Sequence, residues 1–126
     1  MRNSMYWVEI PATNFARAKK FYESIFGMEM TEIPMPRGKY AIFPLNMDGP
    51  GVGGAIVEGE GYAPSETGRV AYIDRGEDLD IPLSKIESSG GKVLSAKTKN
   101  GPNGEYGFIA HFIDSEGNKM GLHSNI

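Results

Sequence analysis

Residues 8–30 read VEIPATNFARAKKFYESIFGMEM, and the fold turns on how this stretch divides. Phe15, Ala18, Phe21, Tyr22, Ile25 and Phe26 recur at steps of three and four, which places them on one side of a helix. Arg17, Lys19, Lys20 and Glu23 fall on the other side. Thr13 or Asn14 can cap the start by accepting an orphan N–H bond, and Gly27 suits the left-handed residue just past the end. One face of this helix must therefore lie on a sheet.

Working outward, Met5 to Ile10 sets Tyr6, Val8 and Ile10 against Met5, Trp7 and Glu9, the alternation of a strand with one face on the core, and Pro11 ends it. After the helix the spacing predicts strands over 28–33, 40–45 and 52–58, with a turn at 34–38. The first half is thus β-α-β-β-β. A shift of 64 residues lays Asn14 on Asp78, Phe15 on Leu79, Tyr22 on Ile86, Glu23 on Glu87, Ser24 on Ser88 and Gly27 on Gly91. The second half repeats the plan. It is expected to run as a strand over 70–74, a helix covering 83–89 with Asp78 or Asp80 near its cap, and strands over 92–96, 106–113 and 119–123. Pro82 fits only in the first helical turn, and residues 115–118 form the last hairpin turn.

With 126 residues the chain has room for one domain, 1–126, made of modules 1–64 and 65–126, and should bury roughly two-thirds of its unfolded surface. The expected fold class is α+β. A net charge of −3 with interspersed signs and no basic run argues against nucleic acid. There is no cysteine to call for an oxidising compartment, and no apolar run long enough for a signal peptide or membrane span, so a cytoplasmic location is expected.

The stretch from Trp7 to Met30, the strand carrying Gly53-Gly54-Ala55, and Phe112-Ile113-Asp114-Ser115-Glu116-Gly117-Asn118 ahead of Gly121-Leu122 together resemble the vicinal oxygen chelate superfamily. That group includes glyoxalase I, bleomycin resistance proteins and extradiol dioxygenases, and the resemblance covers nearly the whole chain. It implies two β-α-β-β-β modules forming a cupped mixed sheet, helices outside and ligand inside, and a homodimer in which cups form or complete.

Metal-dependent members place His or Glu ligands on the first and fourth strands of each module. Aligned through Phe21-Tyr22, the first-strand position falls on Trp7; aligned through Gly90-Gly91, its second-module counterpart falls on Ala71. The last-strand Glu position falls on Gly121, and residues 52–56 offer no side-chain donor, leaving only Glu58 further on. No usual ligand carries over, so no cofactor is expected, a divalent metal being the alternative.

Glu9 and His123 stand two residues beyond vacated positions and share their strand faces. One reading joins them in the cup as a catalytic pair, Glu9 as base or carboxylate ligand and His123 as acid, base or imidazole ligand; the other leaves a solvated rim Glu and a His near the end of the chain. His111 and Asp74 can reach the same space. Trp7 is expected to line the pocket, with Tyr72 and His111 contacting ligand; Tyr40, Phe43, Phe108, Met28, Met30, Met35 and Met47 are either lining or ordinary core. Gly49-Pro50-Gly51-Val52-Gly53-Gly54 has phosphate-loop lettering but leads into a strand, and the acidic loop 58–61 reads as a linker. Two functions follow: a metal-free binder of a small organic molecule in an aromatic cup, or a lyase, isomerase or dioxygenase of the glyoxalase-like group using Glu9 and His123.

Overall fold

The computed structural model describes residues 4–46 and 48–126. Met47, named above as possible lining, lies outside them. In chain order the elements are β1 (Trp7–Pro11), α1 (Phe15–Phe26), β2 (Thr31–Ile33), β3 (Lys39–Ile42), β4 (Gly53–Glu58), β5 (Tyr72–Ile73), α2 (Asp80–Ile86), β6 (Lys92–Lys99), β7 (Phe108–Ile113) and β8 (Lys119–Ser124). The strands form two four-stranded mixed sheets, ordered β1-β4-β3-β2 and β5-β8-β7-β6. In each, the module's first strand runs parallel to its fourth and the rest pair antiparallel. The expected α+β class and doubled β-α-β-β-β plan are present.

Helix α1 buries Phe15, Ala18, Phe21, Tyr22, Ile25 and Phe26, the face read from its spacing. Asn14 is the cap, its Oδ1 accepting from the Arg17 N–H at 3.1 Å, and Gly27 closes the helix in the left-handed region at φ 59°. Helix α2 starts earlier than expected, at Asp80. Its cap position is Leu79 with no side-chain cap bond, Asp78 instead accepting from the Asp80 N–H at 3.0 Å, and Pro82 sits in the first turn as required. Several strands are shorter than expected: β2 loses Met28–Met30, where Met30 is buried and Met28 packs on the core, β3 stops at Ile42, β4 begins at Gly53, β5 keeps only two residues, and β7 begins at Phe108.

One core serves both modules. Ile10, Ala41 and Ile56 from the first sheet and Ala110, Phe112 and Leu122 from the second meet the apolar face of α1. Phe21 lies edge-on to Tyr22 and 6.1 Å from Phe112, and α1 packs on α2. The helices are thus sandwiched between the sheets, on the side away from each sheet's other face.

The turn Asp114–Asn118 locks the two modules together. Glu116, its side chain fully buried, accepts from the N–H groups of Thr13 (3.0 Å) and Asn14 (2.7 Å) and from Arg17 Nε (2.7 Å). It thereby satisfies donors at the start of α1 from a distant part of the chain. Burial alone would push its carboxyl up, but the bonds from Arg17, Asn14 and Ser115 outweigh that and hold it at about 2. Asp114, buried, accepts from the Tyr22 hydroxyl at 2.6 Å, and Asn118 Nδ2 donates to the Pro11 carbonyl at 2.7 Å. Burial, then the Asp114 carboxylate, drive the Tyr22 phenol well above its ordinary value. Glu58, at the end of β4, also serves α1 by accepting from the Phe15 N–H at 2.7 Å.

Candidate functional site

Successive strand residues point to opposite faces. With Ile10, Ala41 and Ile56 turned to the core, Trp7, Glu9 and Tyr40 occupy the other face of the first sheet. By the same rule Tyr72, His111 and His123 occupy the non-core face of the second. Because one core separates the sheets, these two groups look away from each other. Glu9 and His123, expected as a pair, do not meet within one chain.

On the first sheet, Trp7 stands beside Gly53 in the parallel pairing, and a Cβ added at Gly53 would lie 2.6 Å from the indole ring. The ring occupies the space a side chain at 53 would need. Trp7 Nε1 donates to Tyr40 Oη at 2.8 Å, Tyr40 Oη donates to Glu9 Oε2 at 2.7 Å, and Tyr62 Oη donates to Glu9 Oε1 at 3.1 Å. Burial, then the bond to Glu9, raise the Tyr40 phenol; the bond to Glu9 raises that of Tyr62. Both phenols are therefore held as donors to the carboxylate.

The second sheet repeats this arrangement. Tyr72 stands beside Gly121, where a Cβ would again run into the ring. Its hydroxyl lies 2.6 Å from His111 Nε2, while Ser95 Oγ lies 3.2 Å from His111 Nδ1. Burial, then nearby Lys119, pull the His111 imidazole below its ordinary value. His123 Nδ1 lies 2.8 Å from Asp74 Oδ2 and its Nε2 2.7 Å from the Tyr106 carbonyl. Asp74 first, then the Tyr106 carbonyl, raise His123. In its charged form both ring nitrogens donate to these acceptors, leaving no lone pair for a metal or for a proton.

This register corrects one assignment. The second-module counterpart of Trp7 is Tyr72, with Ala71 instead turned to the core, so the alignment through Gly90-Gly91 is one residue out. The better signal was the aromatic-x-acid triplet, Trp7-Val8-Glu9 and Tyr72-Ile73-Asp74. Tyr62, Ser95 and the Tyr106 carbonyl were not anticipated, since loops and partners across a sheet leave no local pattern. Of the other lining candidates, Met30 is core, Met28, Phe43 and Phe108 pack against it, and Met35 is exposed.

The donor set does not suit the family's metal centre. Two of its positions hold rings and two hold glycines on which those rings sit, and no group of three His, Asp or Glu converges among the described residues. A cleft of about 150 Å³ opens between β1 and β5, with Val8, Ile10, Phe43, Ile73, Asp74 and Arg75 among its lining residues. It is well below the few hundred Å³ of a typical ligand pocket.

The profile of the Glyoxalase/Bleomycin resistance protein/Dioxygenase superfamily matches residues 4–122. The chain belongs to this superfamily. It is 30% identical over 120 residues to CFP32, a protein provisionally named a glyoxylase, from Mycobacterium tuberculosis and Mycobacterium bovis; the match takes in 92% of the chain and 43% of that protein. The chain thus spans under half the length of these curated relatives. Among solved structures it is similar to a glyoxalase I variant from Zea mays (TM-score 0.67, 20% identity, 95% of this chain and 46% of that one). It is also similar to the fosfomycin resistance protein FosX from Listeria monocytogenes (TM-score 0.63, 18% identity, 100% and 96%). At these identities the superfamily member shares their fold. No helix among the described residues is long and apolar enough to cross a membrane.

Proposed function

We propose that this superfamily member binds a small organic molecule without a resident metal, in a cup that a second copy of the chain completes. The observation that carries the reading is the seating of Trp7 on Gly53 and of Tyr72 on Gly121. Rings fill the positions where relatives hold metal donors, and the polar groups beside them, Glu9, Tyr40, His111 and His123, can fix a ligand's orientation. In one chain each face is open on one side; a homodimer setting the first module of one copy against the second module of the other would close two cups and bring Glu9 near the partner copy's second sheet. Light scattering should give twice the chain mass, and aromatic small molecules should raise the melting temperature with no metal added. A near-stoichiometric metal lost in a Glu9→Ala, His123→Ala double variant would overturn the proposal.

A catalytic reading rests on a different observation, the Ser95, His111 and Tyr72 chain with its 2.6 Å phenol-to-imidazole contact. There Tyr72, backed by His111, would move a proton beside a substrate carbonyl, the work the sequence suggested for Glu9 and His123. Tyr72→Phe should then abolish turnover and leave the fold intact, and full activity in that variant would remove this reading.

A further inference from the structure

The two modules carry the same triplet but treat its acid differently. Asp74 has an imidazole partner built in, His123 at 2.8 Å, which is a cation when protonated. Glu9, at the matching place two residues past its ring, has two phenols instead, Tyr40 on Oε2 and Tyr62 on Oε1. No Lys, Arg or His nitrogen among the described residues lies within ion-pair distance of it. The carboxylate is exposed, pinned by donors at both oxygens, and still has a lone pair on each to offer. What the second module supplies from its own last strand, the first module leaves to something from outside.

We propose that Trp7, Glu9, Tyr40 and Tyr62 form a site for an organic cation, the ammonium group of a small amine. This rests on the binding function proposed above and names the chemical class of its ligand. Three features favour a cation over an anion or a neutral molecule. No cation among the described residues compensates the charge at Glu9, so an anion is repelled, and a neutral donor gains a hydrogen bond there without the charge–charge attraction that an ammonium adds. Aromatic side chains gather at the carboxylate, Tyr40 and Tyr62 through their hydroxyls and Trp7 through its bond to Tyr40, and the negative faces of Trp and Tyr attract ammonium ions, Trp most strongly. The site is also held in place before any ligand arrives, since the indole is fixed by Gly53 beneath it and by its bond to Tyr40, which in turn holds Glu9.

The test uses the chain's single tryptophan, Trp7, as the reporter. The 126-residue chain is titrated with benzylammonium, with tetramethylammonium, and with benzyl alcohol as the neutral match, following Trp7 emission. Benzylammonium should give a saturable change at a concentration at least about tenfold lower than benzyl alcohol, as expected for an interaction with a charged group. Tetramethylammonium should compete with it. Glu9→Gln, which keeps an acceptor for the tyrosines, should erase that preference, and Tyr62→Phe, which leaves the strands untouched, should weaken benzylammonium binding while melting like the parent. Equal affinity for the charged and neutral probes, or a preference that survives Glu9→Gln, overturns the cation assignment while leaving a working cup. No response to any probe overturns it as well, and the thermal-shift screen then reports separately whether the cup binds anything.

Discussion

Lowering the pH should loosen the seam between the two modules at Glu116 before it disturbs the core. The folded carboxyl sits at about 2, against an ordinary 4.5, so the folded protein binds fewer protons there than the unfolded chain. The stabilisation is therefore complete above 4.5 and is lost as pH falls from 4.5 through 2. At ~1.36 kcal/mol per tenfold, the full difference corresponds to about 3 kcal/mol; Arg17, the charged partner, is 52% exposed, and screening by solvent brings the expected value nearer to about 2 kcal/mol. Urea unfolding at pH 6.5 and pH 2.5 of the parent and of Glu116→Gln measures this directly. At pH 6.5 the variant should be less stable by about 2 kcal/mol, and at pH 2.5, still just above the folded value, the gap should have shrunk to about a quarter of that. Other carboxylates that are depressed on folding, such as Glu23 and Asp78, titrate in both proteins and cancel. If the gap between parent and variant is the same at both pH values, the carboxylate at 116 is not what the seam depends on.

The chain has two histidines, and NMR titration should separate them, His111 below 6.5 and His123 above. Asp74→Asn should bring His123 down, and the contribution of the Asp74–His123 pair, complete below 6.5, should fade as pH rises through the raised value. Gly53→Ala should destabilise by about 1–3 kcal/mol and shift Trp7 emission, because the ring must leave its seat; an unchanged spectrum would mean that the indole is not fixed there. Tyr22→Phe removes the hydroxyl bonded to buried Asp114 and should cost about 1–3 kcal/mol in denaturant unfolding, with no change in ligand binding.

Helix α1 was legible in its buried face and its glycine stop, with the cap narrowed to Thr13 or Asn14, because all of these are local features. The repeat was legible for a related reason: two copies of one amphipathic segment survive a constant shift. The strand register of the second module was not, because the loops differ in length. Trp7 answers to Tyr72, 65 residues on, whereas Gly53 answers to Gly121, 68 residues on, so a shift fitted to the helices slips at the strands, and with period two a slip of one residue changes the face. The site was half legible. Trp7, Glu9, Tyr72, His111 and His123 all stand on the non-core faces; spacing led to Glu9 and His123, whereas placing the second-module position on Ala71 would have turned Tyr72 the other way. That Glu9 and His123 belong to different surfaces depends on α1 lying between the sheets, a packing choice that alternation along a strand does not encode. The motif ending in Asn118 pointed to the family, yet its work is structural: it caps a helix in the other half of the chain.

The ring-on-glycine pairs also bear on how such a fold can change its chemistry over generations. At Trp7 and Gly53, volume removed from one strand is taken up by its neighbour, so the two positions form a single steric unit. Enlarging the glycine alone collides with the ring, whereas shrinking the ring alone only uncovers a glycine on an open face. The order of exchange is therefore constrained: the ring at 7 has to shrink before a side chain can be seated at 53. A lineage moving from an aromatic floor to a pair of side-chain donors passes through an intermediate small at both positions, and the opposite order is the one that selection for stability removes.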